Sequence, residues 1–295
     1  MAILRLGTRG SALALAQAEV VAGALGDAEI VVIETSGDRG EIGDKARFVK
    51  EIEAALIDKR VDLAVHSAKD LPAEIPDGLA LVGVSAREDP ADAFAGGAGS
   101  LGDLVSGARV GTSSLRRRSQ LLALRDDIEV VPVHGNVDTR LRKIAEEDRG
   151  GVVLAPAGLR RLGREDEIAF RFSEAAMTPA AGQGALALEA REGDAAAAEA
   201  AAGLTDRAAL VELTAERAAV IALGASCNTP VGIRARLDGD RLELDGFAGL
   251  PDGTRWVRDS LSGDPGQPAA LGTELAERMA GAGAVAVLRE AERAA

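Results

Sequence analysis

Tyrosine is absent from this 295-residue chain, tryptophan occurs once and phenylalanine five times. Single-stranded nucleic acid is usually held on aromatic side chains that stack with its bases, so 2% aromatic content argues against that class. The two histidines, His66 and His134, lack the ligand spacing of a metal site, and no metal is expected. The single cysteine, Cys227, excludes an internal disulfide and fits a reducing compartment. No apolar run reaches membrane-spanning length. The opening Met-Ala-Ile-Leu-Arg-Leu-Gly reads as a first strand, not as a basic segment leading an apolar signal core. Neither a P-loop nor a dinucleotide-binding glycine fingerprint occurs. A cytoplasmic protein that engages neither membrane nor nucleic acid is expected. With no large exposed apolar stripe, a monomer is expected.

Charge is plentiful but uneven. The net charge of −13 argues against a surface that coats polyanions. Residues 111–164 nevertheless hold eleven Arg or Lys against seven Asp or Glu. A basic stretch inside an acidic chain reads as a pocket for a small anion.

Short apolar runs alternate with amphipathic stretches through the first two-thirds. Predicted strands are Ile3–Leu6, Ile30–Glu34, Val61–His66, Leu79–Val84, Ala108–Val110, Ile128–Val133 and Val152–Ala155. Predicted helices are Ala12–Leu25, Phe48–Lys59, Ser114–Arg125, Val137–Glu147 and Gly158–Leu162. The alternation implies α/β layers with mostly parallel strands. From about Arg207 a helix (Ala208–Ala222) leads to strands around Ile233–Leu237, Arg241–Phe247 and Thr254–Ser260 with Asp-Gly turns, then a closing helix around Glu274–Met279. That is a small α+β domain. Arg87-Glu88-Asp89-Pro90 and Gly182-Gln183-Gly184 read as loops where the chain crosses between domains.

Three strand ends repeat one design. Arg9 and Ser11 precede the first helix; Gly111-Thr112-Ser113-Ser114 precedes Arg116, Arg117 and Arg118; His134-Gly135-Asn136 precedes Arg140. Ser11, Ser113 or Ser114, and Asn136 are N-cap candidates. Each helix start offers unpaired N–H groups and the positive end of the helix dipole to a carboxylate, which arginine grips in a bidentate fork. Adjacent helical residues point about 100° apart, so three arginines cannot face one ligand. Arg116 and Arg117 are expected to contact it and Arg118 to face water. In His66-Ser67-Ala68-Lys69-Asp70, spacing does not separate a polar loop from a carboxylate held ionised for catalysis. Cys227, in a small-residue loop after Gly224-Ala225-Ser226, is either an inert cysteine or an exposed one with a covalent role.

Ten segments, in one order and nearly end to end, resemble the porphobilinogen deaminase (hydroxymethylbilane synthase) family. They are T-R-G-S-A-L-A-L-A-Q (8–17), F-V-K-E-I-E (48–53), V-H-S-A-K-D-L-P (65–72), R-E-D-P-A-D-A-F (87–94) and G-T-S-S-L-R-R-R (111–118). H-G-N-V-D-T-R-L (134–141), A-G-L-R-R-L-G (157–163), G-Q-G-A (182–185), T-A-E-R-A (214–218) and L-G-A-S-C-N-T-P (223–230) complete the set.

The resemblance implies two periplasmic-binding-protein-like α/β domains with hinge crossovers plus a small α+β C-terminal domain. The divisions expected are 1–86 with 184–202, 91–178, and 207–295. It also implies a transferase that adds four porphobilinogen units, each losing ammonia, to a dipyrromethane cofactor. The cofactor is joined to Cys227 by a thioether, and water finally releases the linear product. Asp70 matches the catalytic aspartate. Lys69, Ser114, Arg116 and Arg117, with Asp70, match cofactor-binding positions. Arg9, Ser11, Lys45, Phe48, His134, Asn136, Arg140, Arg161 and Gln183 are the expected substrate-binding residues. Two departures reduce positive charge: Glu41, in a short Gly37–Lys45 lid, stands where a lysine is common, and His134 where an arginine is. The alternative is a cytoplasmic small-anion-binding protein or an inactive paralogue of the same architecture.

Overall fold

The computed structural model describes residues 3–26, 28–35, 49–147, 150–226 and 229–294. The chain forms two compact units, one from Met1–Glu88 with Gly184–Val211 and one from Asp89–Gln183 with Glu212–Ala295.

In the first unit, β1 (Leu4–Thr8) runs parallel to β2 (Ala28–Val32) and β3 (Leu63–Ser67). Between β3 and β4 (Leu79–Val84) lies β10 (Leu186–Arg191), antiparallel to both, so the order is β2-β1-β3-β10-β4. The helix α1 (Ala12–Leu25) packs through Ala18 and Val21 against Leu6, Leu63, Val65 and Leu186. Ile52, Ala55 and Leu56 of α2 (Lys50–Ile57) form a second core with Ile33, Val61 and Ala64. Covering both faces makes the central strands continuously apolar.

The second unit repeats this plan. β6 (Arg109–Gly111) is parallel to β7 (Glu129–Val131) and β8 (Gly151–Leu154). β5 (Ala93–Gly96) is antiparallel to β8 and β9 (Phe170–Arg171), giving β7-β6-β8-β5-β9. The helices α3 (Leu115–Leu124), α4 (Val137–Glu146) and α5 (Pro156–Arg161) follow the three parallel strands in turn. In this aromatic-poor chain three of the five phenylalanines cluster here: Phe170 stacks on Phe94 at 5.0 Å between centroids and meets Phe172 edge-on. Each sheet thus has four strands running one way and one, β10 or β5, running against them; the sequence reading left out both antiparallel strands and the two-residue β9. In β10, Leu186 to Ala190 are all buried, so no polar alternation marks it. β5 has only four residues.

After α6 (Ala195–Ala202) and α7 (Arg207–Ala222), the three strands β11 (Val231–Asp238), β12 (Arg241–Gly249) and β13 (Trp256–Gly263) form an antiparallel meander. Two helices, α8 (Pro268–Gly281) and α9 (Ala284–Ala294), pack on it. The meander and its helices belong to the second compact unit.

The loops read as crossings carry tight backbone contacts. The Glu88 N–H donates to the Gly184 carbonyl at 3.3 Å. Gly184 has φ +93°, and a Cβ there would stand 2.2 Å from the Glu88 oxygen. Gly184→Ala is therefore expected to cost at least about 2 kcal/mol. A urea-unfolding midpoint equal to that of the parent chain would refute this.

Candidate active site

The site residues come from strand ends, because parallel strands deliver their following loops to one sheet edge. In the first unit β1 hands over to Arg9 and Ser11. The Ser11 hydroxyl caps α1 by accepting the Ala14 N–H at 3.3 Å. The neighbouring parallel strand β3 runs into a single 3-10 turn, Ala68–Asp70. Arg9, Ser11, Lys69 and Asp70 therefore share the carboxyl edge of this sheet, and all four are half-buried.

Behind that edge, His66 Nε2 lies 3.0 Å from Glu189 Oε2 of β10, with both residues buried. Glu53 of α2 is pushed up from the usual carboxylate range, first by burial and then by the negative charge of Glu189. Nothing in the spacing of the H-S-A-K-D segment signalled Glu189, which lies 123 residues away.

In the second unit, Ser114 is the cap of α3, accepting the Arg117 N–H at 3.4 Å. Ser113 does another job. Its hydroxyl donates to the Val133 carbonyl at 2.7 Å, accepts the Val133 N–H at 2.9 Å, and lies 3.4 Å from His134 Nδ1. It thereby joins the loops after β6 and β7. Asn136 caps α4 by accepting the Thr139 N–H at 2.9 Å. Arg140, one turn in, folds back so that its Nε donates to Gly135 O at 2.8 Å. Ser114, His134, Asn136 and Arg140 thus gather at one edge, with His134 and Asn136 exposed. Arg161 is half-buried at the last residue of α5.

Arg116 and Arg117 are buried, at 4% and 5% exposure, around Asp92, which has none. Arg116 meets this carboxylate end-on, Nη1 to Oδ2 at 2.6 Å and Nη2 to Oδ1 at 3.1 Å. Arg117 meets it side-on, Nε at 2.9 Å and Nη2 at 2.8 Å from Oδ1. Arg116 also donates to Thr178 O at 2.8 Å and Arg117 to Val153 O at 2.9 Å. Burial alone would raise the Asp92 carboxyl, but the two guanidiniums outweigh it and hold the group well below the usual range. Asp92 accordingly adds stability above its unfolded value and loses it as pH falls through the lower folded value.

One expectation needs correction here. Arg118 is half-buried and not simply solvated: its Nε donates to Pro251 O at 3.2 Å and its Nη1 to Val130 O at 2.9 Å. The reason is tertiary, since the loop after β12 lies on α3. A Cβ on Gly253 would stand 2.5 Å from the Ala123 nitrogen. Gln183 is fully buried, and its amide donates to Pro90 O, Ala91 O and Asp92 Oδ1 at 2.7, 2.8 and 3.0 Å. It ties the two crossing segments together.

The sequence reading also passed over two other buried acids. Asp92 lies inside the R-E-D-P-A-D-A-F segment, where a second aspartate before an apolar residue was the available signal. Glu216, fully buried in T-A-E-R-A, accepts the Gly182 N–H at 2.6 Å and the Ala235 N–H at 2.8 Å.

Lys45, Phe48, Glu41 and Cys227 lie outside the described residues. Flanking the cysteine, the Thr229 hydroxyl accepts the Ser226 N–H at 3.0 Å and donates to the Ser226 carbonyl at 2.6 Å. Among the described residues no group of three or more His, Cys, Asp or Glu is placed to hold a metal ion. None of the described helices is long and apolar enough to cross a membrane.

Residues 4–199 match the family described as "Porphobilinogen deaminase, dipyromethane cofactor binding domain", and residues 210–281 match "Porphobilinogen deaminase, C-terminal domain". The chain is 44% identical to the porphobilinogen deaminase of Trichlorobacter lovleyi, covering 97% of this chain and 96% of the relative. It is 46% identical to that of Roseiflexus castenholzii, covering 97% and 98%. Among solved structures, a Salmonella typhimurium periplasmic binding protein of high arginine specificity aligns at 17% identity and a TM-score of 0.38, covering 68% of this chain and 91% of that one.

Proposed function

This chain belongs to the porphobilinogen deaminase family, and from that premise we propose that it condenses four porphobilinogen molecules, with loss of ammonia, into a linear tetrapyrrole. The observation that carries this reading is similarity along nearly the whole chain, including both matched domains. A dipyrromethane bound through Cys227 supplies the pyrrole carbon from which the product chain grows. The donor chemistry fits such a group. Two guanidiniums share the single charge of Asp92 at the start of α3, which leaves them attractive to the acetate and propionate groups that each pyrrole carries.

Asp70 is the catalytic carboxylate. When ammonia leaves porphobilinogen, the C–N electron pair goes with nitrogen and the remaining pyrrole becomes an electron-poor cation. A fixed carboxylate lowers the energy of that cation and of the transition state leading to it. The new C–C bond then forms, and the attacking ring loses a proton. Arg9 and Ser11, on the same sheet edge, bind carboxylates of the incoming substrate. Arg140, Asn136, His134 and Arg161 bind those of the growing chain. We read the protein as a cytoplasmic, monomeric transferase of three domains, 1–86 with 184–202, 91–178, and 207–295. The single cysteine supports the compartment, and the three separate sheets support the division.

Intact-mass spectrometry tests the reading. The purified chain is expected to carry two pyrrole units, to add one to four more with porphobilinogen, and to release one ammonia for each unit added. A chain with no adduct and no ammonia release is an anion-binding protein or an inactive paralogue instead.

A further inference from the structure

Asp92 divides one negative charge between two guanidiniums, and both belong to the first turn of α3. For stability alone this is a poor arrangement. Buried ion pairs often add nothing over apolar side chains of the same volume, and cations are disfavoured where the helix dipole is positive. The geometry does achieve orientation. End-on contact fixes the plane of Arg116, side-on contact fixes that of Arg117, and the carbonyls of Thr178 and Val153 hold each from a second direction. Asp92 is itself held, by the Gln183 amide at 3.0 Å.

We propose that Asp92 is a positioning residue for carboxylate binding: it sets the planes of Arg116 and Arg117 and lowers their joint charge, so that the pair grips an incoming pyrrole carboxylate in one defined pose. The proposal rests on the reading of these arginines as binders of the cofactor's carboxylates. Asp92 touches neither cofactor nor substrate in this role; it acts through the arginines. Asparagine at this position keeps the size but has one acceptor oxygen for two guanidiniums, and its NH2 group faces N–H donors. Both arginines then lose their orientation.

The test uses the full-length chain without adduct, titrated with porphobilinogen, with the two-pyrrole adduct read by intact mass. Two quantities are separated: the porphobilinogen concentration for half-loading and the plateau fraction loaded. A merely structural defect lowers the plateau through misfolded chains and leaves half-loading in place. Asp92→Asn is expected to raise the half-loading concentration at least tenfold in the folded fraction. In an Arg116→Leu background the same change is expected to add less than twofold, because Asp92 acts through the residue already removed.

Should Asp92→Asn be insoluble, Asp92→Glu goes through the same cycle. It keeps the charge on a longer stem, and half-loading is expected to rise about threefold, again only when Arg116 is present. Unchanged half-loading, or effects that simply multiply in the double variant, overturns the proposal. A parent chain that takes up no pyrrole fails at the functional reading and removes this proposal with it. A parent that loads, beside an Asp92 variant that loads equally, fails the proposal alone.

Discussion

Asp70→Asn is expected to lower turnover by roughly 10²–10³ while the chain stays folded, the loss that follows if cation stabilisation supplies about 3–4 kcal/mol. The substitution keeps size and removes the charge, exchanging one acceptor oxygen for an NH2 donor. Asp70 is half-buried on a short turn at a sheet edge and is not part of an apolar core, so the fold should tolerate the change. The turn is well supported, since β3 is paired on both sides by β1 and β10. The Ala68 N–H also donates to the Ala185 carbonyl at 3.0 Å. A carboxylate on such a base is pre-organised, which is what electrostatic stabilisation of a developing charge requires. Steady-state ammonia release at saturating porphobilinogen, with circular dichroism as the folding control, measures the effect. A loss smaller than tenfold in a folded variant rules out the central role of this carboxylate.

Cys227→Ala is expected to abolish both the adduct and the activity. No other cysteine in the chain can form a thioether. The variant should fold, because on either side of the cysteine the Thr229 hydroxyl accepts from and donates to the Ser226 backbone directly. The purified variant should have the mass of the bare polypeptide and give no colour with an aldehyde reagent for pyrroles. Normal activity would end the covalent reading.

Local features were legible without coordinates because their partners are close in sequence. Ser11 and Asn136 cap the helices expected of them, each through the N–H three residues on. The same logic left Ser113 and Ser114 unresolved, since either could reach into the first turn. Only the neighbouring loop after β7 separates them: Ser113 is engaged at Val133, and Ser114 remains for the cap. Alternation of apolar runs and amphipathic stretches was likewise enough for two α/β layers. It missed β5, which is short, and β10, which is buried from Leu186 to Ala190, so that neither carries a period to read.

The arginine run divides the two kinds of information most clearly. The sequence by itself determined that three cations begin a capped helix at a strand end, beside strand ends of similar design, in a chain whose ordered motifs resemble one enzyme family throughout. The family resemblance, and not their spacing, marked Asp70 and Cys227 as the residues expected to carry the chemistry. Only the tertiary structure decided what each arginine touches. Asp92 is 24 residues before Arg116, Thr178 is 62 after it, and Pro251 is 133 beyond Arg118. Helical periodicity sets the angle between side chains but carries no term for what packs against them. The expectation that Arg118 simply faces water missed its two carbonyl partners for that reason, and the burial of Gln183 was equally out of reach. Burial, charge balance and orientation arise from distant segments brought together, and a one-dimensional pattern records them only when those segments are neighbours along the chain.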